Sequence, residues 1–454
     1  MTPLITPDIK TTYQQVKVLL DSHRIDLIQP ILQDEHPADI ADLLEILSSE
    51  ERALIFDLLP AEIASEVLDE IDTRSTRSLV EAIPDEKVAD LLEVLPVDDA
   101  AELLLELQGD RAEDILELMD PEDASEVEAL LSYPEDSAGR LMSTKVIRLR
   151  EDMTVQDTLE FMRTIDPEVE TLAYLYVVNG NDRLVGVVPL RNLVTSPGSK
   201  TLSEIMEISV VSVRVDTDQE EVARLVSQYD FFAIPVVDEF DTLLGIITHD
   251  DVVDILQEEF TEDMQRMGGS EPLEGEYLST PVTMIARKRI GWLLILFLGQ
   301  MLTGTVMKWF ENELDALVML TFFIPLLIGT GGNSGSQTTS TVIRAIATGE
   351  VRFRDAGLLL WREFRTAILL GVAMCVVGFV RALMWGSTTP LAYTVAFSLL
   401  TIVVWANLIG ALLPLIAAKL KIDPAVISGP VMSTLVDATG LFIYFSLARL
   451  FISF

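Results

Sequence analysis

Five long apolar segments follow Met284, and no other feature of the sequence limits the fold so strongly. Their approximate cores are Ile290–Met307, Leu317–Ala345, Ala367–Trp385, Leu391–Leu415 and Val426–Phe451. The hydrocarbon core of a bilayer is about 30 Å thick and takes a helix of about 20 residues. Each segment supplies one. They are too long, too close together and too poor in charge to be buried helices of a large soluble core.

The rest of the chain has a different composition. Net charge is −40, yet mean hydropathy is +0.36. The two values coexist because the charge is segregated. Up to Met284 there are about 64 acidic and about 19 basic residues; beyond it the bases slightly exceed the acids. An acidic part of this kind argues against nucleic acid, since phosphate binding needs a basic face. It fits either cationic partners or a solvated surface with a diffuse counter-ion cloud. The single cysteine, Cys375, rules out an intramolecular disulfide. His23, His36 and His249 are too far apart in sequence to suggest a zinc site. No nucleophile–base pair or phosphate-binding Gly-Lys loop points to an enzyme. The first residues lack the regions of a signal peptide, so the acidic part is expected to begin in the cytoplasm.

Basic residues orient the spans. Arg287, Lys288 and Arg289 precede span one; Arg352, Arg354, Arg362 and Arg365 lie between spans two and three; Lys419 and Lys421 lie between spans four and five. Lys308, Arg381 and Arg449, near the opposite ends, are a minority. The acidic part thus falls on the cytoplasmic side, and five spans put the C-terminus, Phe454, outside.

Two features inside the spans stand out. Asp437 lies about 13 residues past Pro424, near mid-membrane at about 1.5 Å per residue. A carboxylate there costs at least ~2.5 kcal/mol on insertion scales. It is either protonated and bonded to a neighbouring helix, or it faces a water-filled path and meets a cation. The second feature is the run from Gly329 to Gln337, GTGGNSGSQ, followed by Thr338, Thr339, Ser340 and Thr341. Glycine lets membrane helices approach closely, while Asn, Ser and Thr present oxygens suited to a hard cation or its water. Pro424 and Ser428-Gly429-Pro430 open span five, and the prolines are expected to leave helical carbonyls free to line a pore.

Residues 1–137 read as short helices broken at Leu-Pro steps, with Leu-Leu pairs inside and Asp and Glu outside, the pattern of a small helical solenoid. A duplication follows. The segment from Leu141 matches that from Ile205, and the segment from Leu175 matches that from Ile234. Each copy reads strand, amphipathic helix, a two-stranded hairpin ending at a glycine (Gly186, Gly245), then helix. This order, repeated, resembles a tandem CBS pair. The ribose-binding Thr-x-x-Asp pattern of that family falls on Thr248 and Asp251; the first copy has Pro189 and Asn192 there, so the resemblance implies at most one nucleotide site, with ATP as the candidate.

Acids then thicken: Asp250, Asp251, Asp254, Glu258, Glu259, Glu262 and Asp263. At helical spacing Asp251, Asp254, Glu258 and Glu262 share one face. Two carboxylates about 4 Å apart repel by roughly 4 kcal/mol at an effective dielectric of about 20. Divalent cations would relieve that repulsion. Beyond Gly268-Gly269, Ser279-Thr280-Pro281 is expected to start a connecting helix, with Pro in its first turn, running through Arg289 into span one.

Taken in order, these parts resemble the MgtE family of magnesium channels over nearly the whole chain. The most specific stretches are GTGGNSGSQTTSTVIRAIAT from Gly329, DPAVISGPVMSTLVDATGL from Asp423 and DTDQEEVARLVSQYDF from Asp216. The expected fold is multi-domain: an all-α acidic N-terminal solenoid (1–137), an α/β tandem CBS pair (138–262, divided near 200), a linker and connecting helix (263–289) and a transmembrane domain of five helices (290–454). The resemblance implies a homodimer in the cell (inner) membrane, with a pore on its two-fold axis lined by spans two and five. The pore set is Asp437 with Asn333, Ser336, Gln337, Gly429 and Thr434. Ser336 and Gly429 stand where some members have Asn. The implied regulatory magnesium ligands are Asp218, Glu220, Asp230, Asp251, Asp254, Glu259, Glu262, Asp263 and Asp423, joined by Asp98 or Asp99 from the N-domain. The implied function is magnesium uptake through a channel closed by cytosolic Mg2+. Two alternatives stay open. One is a broader carrier of divalent ions such as Co2+ or Mn2+, against which the lack of His or Cys in the pore stretches counts. The other is a membrane-anchored CBS nucleotide sensor.

Overall fold

The computed structural model describes residues 7–22, 24–33, 35–71, 73–107, 110–164, 171–273, 277–278 and 280–452. The expected helix start at Ser279 and the expected outside terminus at Phe454 lie outside them. The chain divides into two compact units, Met1–Gln257 and Glu258–Phe454.

The first unit begins with short helices whose ends are set by proline. Pro60, Pro84 and Pro96 each cap the next helix. A residue before proline is pushed out of the helical region, so each Leu-Pro or Ile-Pro step ends one helix and begins another. Helices then pack on the next but one. Pro37–Ile46 lies on Ala61–Glu70, Ser49–Phe56 on Thr73–Ala82, Asp85–Leu92 on Asp110–Leu118, and Val97–Glu106 on Pro121–Leu131. The Leu-Leu pairs (Leu43 and Leu44, Leu91 and Leu92, Leu103 and Leu104) are buried. The expected solenoid is present.

The duplication is also realised. The first copy has β1 (Arg148–Arg150), β2 (Tyr174–Val178) and β3 (Leu184–Pro189); the second has β4 (Val213–Arg214), β5 (Ala233–Val237) and β6 (Leu243–Thr248). In each, the first strand pairs parallel to the second and the second pairs antiparallel to the third. A register shift recurs at Val177/Val178 and Val236/Val237. Each hairpin turn places an aspartate, Asp182 or Asp241, in the left-handed region, which Asp tolerates better than most residues. Gly186 and Gly245 lie inside the last strand of each hairpin rather than at its end. Close packing explains this: a Cβ on Gly186 would meet Met206 Sδ at 2.5 Å, and one on Gly245 would meet Met142 Cγ at 3.0 Å.

The acidic stretch forms one helix, His249–Met267, which runs through the expected boundary at residue 262. Pro281 caps the helix Val282–Trp309 instead of entering its first turn, and that helix is both connecting helix and span one.

Five helices of the second unit are long and apolar enough to cross a membrane. They are Val282–Trp309, Val318–Ala347 (with a 3-10 turn at its start), Phe353–Met384, Thr389–Lys419 and Gly429–Phe451. Spans three and four pack along each other, and span two packs on both four and five. Pro325, Pro390 and Pro430 sit in first helical turns, where a missing N–H removes no bond. Prolines at the opening of span five therefore do not strip helical carbonyls, contrary to the sequence-based expectation. The interior proline is Pro414 in span four, and its effect is described below.

Candidate functional site

The Gly/Ser/Thr-rich run of span two has a buried face and an exposed face. Gly331, Gly332, Ser334, Gly335, Thr338 and Thr339 are buried. A Cβ on Gly331 would lie 2.5 Å from Ile402 and 2.8 Å from Val436; one on Gly332 would lie 3.1 Å from the Ser433 hydroxyl. These glycines seat spans four and five against span two, as small residues do in membranes. Asn333, Gln337, Ser340 and Thr341, interleaved with them, are exposed. A polar stripe thus runs along the outer side of a membrane helix.

Span five carries the carboxylate. Ser433 packs over Gly332, and Asp437, half-buried, follows one turn later. Gln300 Nε2 of span one donates to Asp437 Oδ2 at 3.3 Å. No cationic side chain is hydrogen-bonded or ion-paired to Asp437 among the described residues. The neighbouring-helix partner left open by the sequence is therefore present, but as a long bond from a neutral amide. Gln300 was missed by the sequence reading, since nothing links it to Asp437 before spans one and five pack together.

The other pore candidates are placed less uniformly. Ser336 Oγ donates to the Gly429 carbonyl at 3.3 Å, tying span two to the first residue of span five. The Thr434 hydroxyl donates to the carbonyl of Pro430 at 2.9 Å. Its methyl lies where a Cβ on Gly299 would meet it at 2.7 Å. Thr434 is thus committed to helix contacts, whereas Asn333 and Gln337 are outward-facing.

The acids outside the membrane fall into three groups. In the first unit, Glu102 on helix Val97–Glu106 faces Asp254 and Asp251. Burial raises the Glu102 pKa, and those two acids add to the rise. Burial likewise raises Asp251, with Asp250 and Asp254 adding, while hydrogen bonds from Thr248 oppose it. Asp254 is raised by burial and then by Asp250. Asp98 and Asp99, the acids expected from the sequence, lie in the first turn of the same helix; Glu102, one turn further on, is an additional acid brought to Asp251 and Asp254.

A second group lies at the two ends of helix Gln219–Tyr229. Asp218 caps its start, accepting from the Glu220 N–H at 3.0 Å, and Asp230 ends it with φ of 54°. Eleven residues at 1.5 Å each separate these ends by about 16 Å. Within one chain, one ion cannot take ligands from both.

The third group is in the second unit. Asp263 has its pKa pushed up to about 6 by burial, then by Asp423 and Glu259. Asp423 caps the turn that opens span five, accepting from Ala425 N–H at 2.7 Å. Its other oxygen accepts from Arg266 Nη1 at 2.6 Å, and Arg266 also pairs with Glu262. Arg266 is a second residue missed by the sequence reading. It is the one base of the acidic helix's last turn, and its partner Asp423 is 157 residues away. The donor chemistry, all carboxylate oxygen, suits Mg2+. Among the described residues of the single chain, however, no three His, Cys, Asp or Glu side chains converge into a group able to hold a metal.

The expected nucleotide pair is engaged internally. Thr248 N–H and Oγ1 both donate to Asp251 Oδ2, at 2.8 and 2.6 Å, closing the start of the acidic helix. A cavity of about 370 Å³ lies elsewhere, between the two CBS copies, lined by Tyr174, Tyr176, Arg191, Glu207, Phe232 and Pro235 among others. Neither Thr248 nor Asp251 lines it. The Tyr176 hydroxyl is buried there with no partner among the described residues.

Comparison with known proteins matches this arrangement. The MgtE family model, described as a divalent cation transporter, covers residues 324–447; its intracellular N domain covers 35–136, and CBS domains cover 138–197 and 202–258. The magnesium transporter MgtE of Thermus thermophilus is 41% identical over 93% of this chain and 94% of its own. That of Bacillus subtilis is 36% identical over 73% of each. A crystal structure of the cytosolic domain of the Mg2+ channel MgtE in complex with ATP matches 54% of this chain and 99% of its own, at 38% identity and a TM-score of 0.52. These full-length relatives are named as transporters, not enzymes. With its helical N-domain, CBS pair and five candidate spans, the chain belongs to the MgtE family of magnesium transporters.

Proposed function

We propose that this protein is a Mg2+-selective channel for magnesium uptake, closed by cytosolic Mg2+. The observation that carries the ion path is the polar stripe of span two together with Asp437. Asn333, Gln337, Ser340 and Thr341 are exposed in the single chain; the Thr341 hydroxyl donates to the Gln337 carbonyl of its own helix, but the amides of Asn333 and Gln337, facing lipid tails, would lose the hydrogen bonds that water gives them. Water, or a second copy around water, resolves this. We therefore place the pore between the two chains of a homodimer, with span two and Asp437 from each copy facing a common path. Mg2+ is small, strongly hydrated and bound through octahedral oxygen sets. A hydrated ion fits two carboxylates and a stripe of amide and hydroxyl groups, with no His or Cys to favour a softer metal.

Closure is assigned to the acids outside the membrane: Asp218, Glu220, Asp230, Asp251, Asp254, Glu259, Glu262, Asp263 and Asp423, with Asp98 or Asp99 and Glu102 from the N-domain. Several of them have raised pKa values, which marks sites where the ionised form is uncomfortable. Their carboxylates take up divalent charge when magnesium is abundant, and the acidic helix then stays docked. When magnesium is scarce they repel one another, and the connecting helix is released. Arg266, already bonded to Asp423 and Glu262, partly holds this assembly without metal. Since no closed ligand set forms among the described residues of one chain, ligands from the second copy or from water complete the shell. Basic residues flanking the spans place the acidic half in the cytoplasm and the C-terminus outside the cell (inner) membrane.

A nucleotide such as ATP is assigned to the cavity between the CBS copies rather than to Thr248 and Asp251. Its volume suits a small ligand, its aromatic rings can stack on a base, and Arg191 can face a phosphate.

The test of the ion path is Mg2+ flux into proteoliposomes. Asp437→Ala is expected to reduce flux to the level of protein-free vesicles. Normal flux in that variant would remove the assignment and favour a different route for the ion. Competition by Co2+ and Mn2+ in the same assay decides between a magnesium-selective and a broader channel.

A further inference from the structure

Asn407 lies in span four, is 2% exposed, and belongs to no feature used above. Its amide is fully engaged. Oδ1 accepts from Thr338 Oγ1 at 2.5 Å; Nδ2 donates to Ser334 Oγ at 2.6 Å and to the Val403 carbonyl at 2.7 Å. About two turns later on span four, Pro414 has no N–H to give the carbonyl of Gly410. Thr339 Oγ1 donates to that carbonyl at 3.2 Å. A Cβ on Gly410 would sit 2.8 Å from the Gly335 carbonyl, so the two helices touch there through backbone. Span four therefore grips three hydroxyls of span two: Ser334, Thr338 and Thr339.

The gripped residues alternate with the exposed ones. Ser334 follows Asn333, and Thr338 follows Gln337. One residue along a helix is a turn of about 100°. A slip of span two by one position would bring Ser334 and Thr338 to where Asn333 and Gln337 stand, and move the two amides to the places of buried Gly332 and half-buried Ser336. The glycine seat resists such a rotation, since it would carry Asn333 into the place of Gly332, where even a Cβ would lie 3.1 Å from the Ser433 hydroxyl; the hydrogen bonds to the buried Asn407 amide add to that resistance, because their loss leaves unsatisfied polar groups. We propose that Asn407 is a positioning residue that fixes the rotational register of span two, and thereby determines which of its side chains reach the ion path. This rests on the reading of the Asn333 face as pore-lining.

Thiol accessibility separates the two claims. The background is full-length protein with Cys375→Ala, reconstituted in vesicles and treated with a water-soluble cationic thiol reagent. Reporters are Gln337→Cys and Thr341→Cys on the exposed stripe, and Val342→Cys at a buried position. With native Asn407, the first two should react and the third should not. With Asn407→Leu, which removes all three bonds, reaction at 337 should slow by at least about tenfold and reaction at 342 should rise by a similar factor, tenfold being the size expected for loss of a single buried hydrogen bond. A role limited to stability would raise all three together. Thr338→Val removes one of the three bonds while keeping shape; it should give a smaller shift of the same sign, and it carries the comparison if Asn407→Leu does not assemble. Failure of 337 and 341 to react in the native background would overturn the pore reading, and this inference with it. Normal reactivity there, unchanged or uniformly raised by both substitutions, would overturn the inference alone.

Discussion

Carboxylates occur in two opposite settings in this molecule. Asp437 stands alone in span five, held by one long bond from a neutral amide. In the acidic helix and its neighbours, burial, with neighbouring carboxylates adding to it, raises the pKa values of Asp251, Asp254, Glu102 and Asp263. An ion that passes must bind weakly enough to leave, which suits a lone, loosely held ligand. An ion that is sensed must change an equilibrium, which requires that its ligands be worse off without it. In the proposed function, this contrast lets one ion serve as both cargo and signal in one chain.

The contrast breaks most clearly if the crowded acids are neutralised. Replacing Asp251, Glu259 and Asp263 together by Asn or Gln should leave a channel that conducts at millimolar cytosolic Mg2+, with Asp437 untouched. Inhibition unchanged from the native protein would show that these acids do not report magnesium.

A smaller effect concerns pH. The folded protein holds the Asp263 proton up to about pH 6, whereas the ordinary value is 3.8. Between these values the folded state binds more protons than the unfolded chain, so stability falls as pH rises. Without divalent ions, the melting temperature should therefore drop as pH rises from about 4 to about 6, and Asp263→Asn should flatten part of that drop. Inhibition by Mg2+ should weaken as pH falls below about 6, because protons compete for the same oxygens. A melting temperature that rises through this window, with Asp263→Asn unable to alter it, would contradict the assignment of strain to this group.

The smallest effect is on nucleotide binding. Phe232→Ala or Arg191→Ala should weaken ATP binding, measured by calorimetry on the full-length protein, while Thr248→Ala should leave it within a few-fold. The reverse ranking would return the site to the Thr-x-x-Asp pattern.

Most of the architecture was legible because its signals are local. Apolar length marks the spans, Leu-Pro steps mark the solenoid, and two matching segments mark the CBS pair. What escaped is pairing across long sequence distances. Gln300 and Asp437 meet only when spans one and five pack. Arg266 finds Asp423 across 157 residues, and Asn407 finds Ser334 across 73. The run after Gly329 shows the limit of composition most directly. It suggested either helix packing or an ion path; the fold buries Gly331, Gly332, Ser334, Gly335, Thr338 and Thr339 in helix packing and leaves Asn333, Gln337, Ser340 and Thr341 exposed, a division that only the rotation of the helix decides.

The most direct test of the account is current through reconstituted native protein with Mg2+ varied on the face bearing the acidic domain. The account predicts Mg2+-carried current at low magnesium on that face and progressive closure as magnesium rises, both from the same molecules. Current indifferent to magnesium on that face would contradict it.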